Sequence, residues 1–256
     1  MISLPAPPGR RTSAPSAVGA SPCTSCASGF ALIIALLLLS IVSVLALGLS
    51  LVVSMDPMAA ANQREGMAAA YIARAGMELA AHELAAAAAW DPLLSGAVTS
   101  THVDGAPGGA RTLPSGERID LAQLTSQLTC GRAAGCSDAQ MNASSAARPW
   151  GANNPRWQPF IYGTADRLGL GSGTAHYVVA WVGDDGAERD GKPEEDGTAQ
   201  EGGGSVRVVV QAFGPMRGRQ TIQAHVSRRC ETVDGVRTCA PGIRVHNWQL
   251  AGGSVP

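Results

Sequence analysis

The hydrophobic pattern of the chain changes character three times along its length. Residues Phe30 to Val53 read FALIIALLLLSIVSVLALGLSLVV, with no charge and no proline. At 1.5 Å per residue such a run extends roughly 36 Å, enough to cross a hydrocarbon core of about 30 Å. It is longer than the apolar region of about 7–15 residues in a cleaved secretory signal. No A-x-A cleavage pattern closes it, because the sequence continues SMDPMAAANQREGM. The run is therefore expected to persist as a membrane-spanning helix.

A second stretch begins at Asp56-Pro57, which looks like a helix restart with Asp as the cap and Pro at the first position. From there to Trp90 the chain is dominated by Ala with Glu, Arg, Met and Leu, all strong helix formers, with Gly66 and Gly76 as weak points. Met67, Tyr71, Arg74, Glu78 and His82 recur at helical spacing. The small side chains suit close helix–helix approach. The two helical stretches are nearly continuous.

Beyond Trp90 the pattern is irregular to residue 170, apart from a short helix expected over Glu117 to Leu128. Apolar runs of strand type then follow: HYVVAWV from His176, VRVVVQAF from Val206, TIQAHV from Thr221 and IRVHNWQL from Ile243, the last as an edge strand. GPMRGRQ between the second and third suits a hairpin. An antiparallel sheet packed on the long helix follows, an α+β arrangement. The expected segments are a leader (1–29), a membrane half of the helix (30–55), an exported half (56–90) and a globular α+β domain (91–256).

Charge narrows the function. A net charge of −1 gives no basic surface for nucleic acid. Arg10 and Arg11 precede the apolar run, no acid lies in residues 1–29, and Asp56 follows the run. The positive-inside rule then places the N-terminus in the cytoplasm and the domain outside. The six cysteines form three close pairs. Cys23 and Cys26 precede the membrane run and read as an incidental pair in a reducing compartment. Cys130 and Cys136 staple a short loop if the domain is exported. Around the Asp234-Gly235 turn signal, Val233 faces Val236 and Cys230 faces Cys239, close enough to bond.

Acidic residues crowd one loop, with Asp184, Asp185, Asp190 and Asp196 among them and only Arg189 and Lys192 opposing. The loop is either simply solvated or a calcium site, since hard cations take carboxylates and carbonyls; it lacks EF-hand spacing. No other cofactor is indicated. The chain carries no nucleophile elbow, no HExxH and no phosphate-binding GxxxxGK[ST], and its five histidines are scattered. An enzyme is not expected.

The small-residue leader, Gly29, Phe30 and the uncharged helix together resemble the class III signal of type IV pilins and pseudopilins. Ala70 to Leu84, AYIARAGMELAAHEL, is similar to the AxYxAxAGxExAxxEL pattern of the PilX-type minor pilins. The resemblance covers Gly29 to Leu84. It implies a pilin-like fold, cleavage after Gly29 by a prepilin peptidase and methylation of Phe30. It also implies a bacterial inner-membrane subunit that joins other minor pilins and a major pilin through its N-terminal helix. Two departures stand out. Pilin leaders usually carry Lys or Arg just before the glycine, where Cys26-Ala27-Ser28 stand here. Most pilins carry Glu at the fifth mature position, where Ile34 stands here. Losing that carboxylate disfavours ordinary shaft positions and implies a place at the tip, as in the tip pseudopilin of type II secretion. Three readings stay open: a minor pilin, a secretion pseudopilin, and a tethered exported binding protein that never polymerises.

Overall fold

The structure is a computed structural model and describes residues 28–197, 203–234, 236–240 and 242–251. The chain divides into two compact units, residues 1–56 and 57–256. The Cys23/Cys26 pair lies outside the described residues.

Helix α1 runs Ser28–Ala86. It carries through Asp56-Pro57 without the restart expected. Proline in a helix removes one backbone hydrogen bond. Helix precedes it and the Ala-rich run of strong helix formers follows it, so no second costly nucleation is needed. In the first unit, Phe30–Ser50 has a mean hydropathy of 3.1 and none of it is buried. Its few hydroxyls are satisfied within the helix. Ser40 donates to the Leu37 carbonyl at 2.7 Å, Ser43 to that of Leu39 at 2.7 Å and Ser50 to that of Ala46 at 2.9 Å. No polar side chain therefore asks water for a partner, which is the condition for lying in lipid.

In the second unit the helix becomes one-sided. Ala69, Ile72, Ala73, Gly76, Met77, Ala80 and Leu84 are buried, at the i, i+3, i+4, i+7 spacing of one face. Met67, Tyr71, Arg74, Glu78 and His82, the stripe visible in the sequence, form the exposed face. Trp90 closes the end. Its indole N–H donates to the Leu84 carbonyl at 3.0 Å, which the helix would otherwise leave unpaired. Helix α2 (Asp91–Leu94) follows.

The core is a five-stranded antiparallel sheet in the order β3-β4-β5-β6-β9, made of β3 (Gln158–Thr164), β4 (Tyr177–Asp184), β5 (Ser205–Phe213), β6 (Arg219–Ser227) and β9 (Arg244–Ala251). The sheet has two different faces because side chains alternate. Val178, Ala180, Val182, Val206, Val208, Val210, Ile222 and Ala224 pack on the buried face of α1. Tyr177, Val179, Trp181, Val209 and Phe213 point the other way, into a second cluster with Leu113, Ile119, Leu121, Trp157 and Tyr162. Strands β4 and β5 are covered on both sides, which explains their nearly unbroken apolar sequence.

The second cluster is roofed by β1 (Ala110–Thr112), β2 (Arg118–Asp120) and α3 (Leu121–Cys130). The helix expected from Glu117 starts later, because Asp120 accepts the Gln123 backbone N–H at 3.0 Å and caps it. A short α4 (Asp138–Met141) follows. Trp181 donates to Thr125 at 2.9 Å and Tyr177 to Asp104 at 2.9 Å, which ties the roof to the sheet. The hairpin β7 (Cys230–Val233) and β8 (Val236–Cys239) projects between β6 and β9.

Candidate functional site

Gly29 and Phe30, where the sequence resemblance places cleavage, lie where the apolar run begins. Gly29 and Phe30 stand in the first turn of α1, Phe30 is 69% exposed, and Ile34 is exposed on the same helix. Both disulfides form: Cys130–Cys136 with Cα atoms 6.1 Å apart, and Cys230–Cys239 across the hairpin. The register is as the turn signal implied, with Val233 opposite Val236 and Cys230 opposite Cys239.

The carboxylates of the acidic loop are engaged one by one. Asp185 approaches the His225 ring at 3.2 Å. Asp190 accepts the Lys192 backbone N–H at 2.8 Å. Asp196 accepts from the Gly204 N–H and from Arg228, both at 2.6 Å, and Arg228 also lies 4.2 Å over the Trp90 ring. Asp184 instead turns into the protein. The four carboxylates thus serve four separate tasks, and no group of three metal-ligating side chains converges among the described residues.

Asp184 is fully buried, and neither of its oxygens has a partner in good hydrogen-bond geometry. Burial first, and the nearby Glu188 carboxylate second, push its pKa up to about 8, while the Asp185 N–H opposes them. The Asp184 side chain is therefore largely protonated at neutral pH. For Asp185 burial works upward, but the His225 ring, the Ala187 N–H and Arg207 outweigh it and leave its pKa below the ordinary value.

A polar recess of about 260 Å³ opens on the sheet face turned away from α1, beyond the edge of the second cluster. Strand β5 contributes Arg207, whose guanidinium lies 5.9 Å over the Trp150 ring and 5.7 Å over that of Trp157. Burial lowers the Arg207 pKa and Asp185 works against that shift. Strand β6 adds Gln223 and His225, and β9 adds Asn247 and Gln249. Trp150 forms the lip. It is 37% exposed and lies against Gly186, where a Cβ would come 2.5 Å from the indole.

A β-bulge builds the β9 side of this recess. Gln223 pairs with Gln249 and His225 pairs with His246, so two steps along β6 match three along β9. In an unbroken strand residues 246 and 249 would point to opposite faces. The extra residue lets both face the recess side. Asn247 takes the left-handed conformation, with φ 48°, that such a bulge uses and that Asn tolerates. Trp248 turns the other way, onto the main core.

The sequence offered two signals for this recess. Arg207 is the one charge inside an apolar strand, and HNWQ in β9 alternates polar and aromatic positions. The bulge, which decides which of those residues share a face, has no sequence signal of its own. No protein-family model, curated protein or solved structure matches the chain.

Proposed function

We propose that the chain is a minor pilin-like structural subunit, not an enzyme, that helps to initiate or assemble a type IV pilus. The observation that carries this reading is the first part of α1. An apolar helical stretch with no buried residue requires lipid or other apolar helices around it. A plain single-pass anchor could end at the membrane surface. Here the same helix continues as the backing of an α+β domain, which suits a subunit that leaves the bilayer by packing its helix among others. Gly29-Phe30 at the start of that stretch supports processing by a prepilin peptidase. The N-terminus then faces the cytoplasm and the disulfide-bonded domain the periplasm, in keeping with Cys130–Cys136 and Cys230–Cys239.

Ile34 supports a place at the tip, because a side chain without charge cannot pair with the terminal amine of a neighbour. The same substitution favours a second reading, a minor pseudopilin of a type II secretion system. Co-purification decides between them: association with major pilin supports the first, and with secretion pseudopilins the second. The test of the shared reading is Gly29→Ala. Loss of processing and of filament association is the expected result. Unchanged mature size and filament association would refute processing at this site, and a wild-type chain found in no filament would leave a tethered binding protein that does not polymerise.

A further inference from the structure

We propose that the recess on the outer sheet face is a saccharide-binding site that takes one uncharged pyranose ring. This inference stands on the geometry of the recess and does not depend on the pilin reading.

Sugar hydroxyls both donate and accept, so a site for them needs both kinds of partner at fixed positions. The recess supplies both. Gln223, Asn247 and Gln249 carry amides with an acceptor oxygen and two donor hydrogens each. None of these three side chains makes a hydrogen bond within the protein among the described residues, so all are available to a ligand. Asp185 adds an acceptor and Arg207 a donor. Their opposite charges offset one another across the recess, which argues for a neutral ligand over an anionic one.

Sugars also present an apolar face of C–H groups, and these pack on aromatic rings. Trp150 offers such a ring at the lip, 37% exposed, with Gly186 against it and the Arg207 guanidinium 5.9 Å from its centroid. The polar groups project mostly from strands, so little ordering is needed on binding. The bulge at Asn247 fits this role, since bulges recur beside functional sites where they re-aim a side chain. The volume of about 260 Å³ lies just under the range of about 300–1,000 Å³ for drug-sized ligands, so it suits one ring and not an extended chain.

The test uses the full chain in a detergent without a sugar head group, such as lauryldimethylamine oxide. The probes are the methyl glycosides of glucose, galactose, mannose and N-acetylglucosamine, read by saturation-transfer difference NMR. At least one glycoside should receive saturation on its ring protons. Asn247→Gly keeps the left-handed backbone and removes the amide; it should weaken that binding by about tenfold, as should Gln249→Ala. Tyr71→Ala, on the exposed helix face, should leave it unchanged. Silence from all four glycosides would overturn the proposal and would fit a recess covered by a neighbouring protein. Binding that survives both recess substitutions would also overturn it.

Discussion

Asp184→Asn tests the reading of the buried carboxyl directly. In the folded chain the Asp184 pKa stands at about 8, against 3.8 for an ordinary aspartate. Both states are protonated below about pH 4. As the pH rises from there towards 8, the unfolded chain releases this proton and the folded chain keeps it. Asp184 therefore lowers stability progressively across that window and adds nothing further above it. At 1.36 kcal/mol per pH unit the full span gives a ceiling of ~6 kcal/mol. Relaxation and water entry reduce such burial costs in real proteins, leaving about 2–3 kcal/mol. Asparagine keeps the shape and removes the titration. In thermal unfolding followed by tryptophan fluorescence, the variant should match the wild type near pH 4 and exceed it by roughly 5–10 °C near pH 8. Taking the difference between the two proteins cancels His176, whose burial lowers its pKa and costs stability on the acid side. A difference that is flat with pH, or a loss of stability in the variant, would refute the reasoning. So would a calcium-dependent rise in the wild-type midpoint that Asp184→Asn abolishes, since that would place an ionised Asp184 on the metal.

Three further outcomes follow from the packing. A Cβ on Gly76 would come 2.9 Å from Val178 and 3.1 Å from Val210, whereas one on Gly66 meets nothing. Gly66→Ala should stabilise by up to ~1 kcal/mol and Gly76→Ala should destabilise by ~1 kcal/mol in chemical denaturation, and equal effects would refute the close helix–sheet contact. Arg228→Met removes the charged partner that Asp196 has beside the Gly204 N–H and should cost about 2–4 kcal/mol, with Asp196→Asn in the same chain recovering part of it; no recovery would mean the loss is packing alone. Ile34→Glu should redistribute the subunit from filament ends to the shaft in immunogold labelling, and unchanged placement would remove the basis for a tip role.

The legible parts of the sequence were those with a local physical signature. The apolar run, the four long strands and the Cys230–Cys239 hairpin follow from periodicity and from one Asp-Gly turn. Strand β3 was not legible, because Pro159 and Gly163 make QPFIYGT read as loop; it is a strand because it pairs with β4 from the sheet edge, with a register shift at Pro159. Gly76 read as a flaw in a helix and is a point of close approach to the sheet. The Met67–His82 spacing gave the helical period without revealing that this stripe faces outward. The acidic loop showed its charge, while the separate engagement of Asp185, Asp190 and Asp196 depends on His225, on a backbone N–H and on Arg228, distant contacts or local turns that composition does not carry. The recess needed the bulge at Asn247, which only pairing with β6 reveals.

The most direct measurement of the central claim is the intact mass of the mature chain isolated from cells with active prepilin peptidase. The pilin-like account requires a chain that begins at Phe30 with one added methyl group on its amine. A chain still carrying residues 1–29 and unmodified at its N-terminus would contradict it.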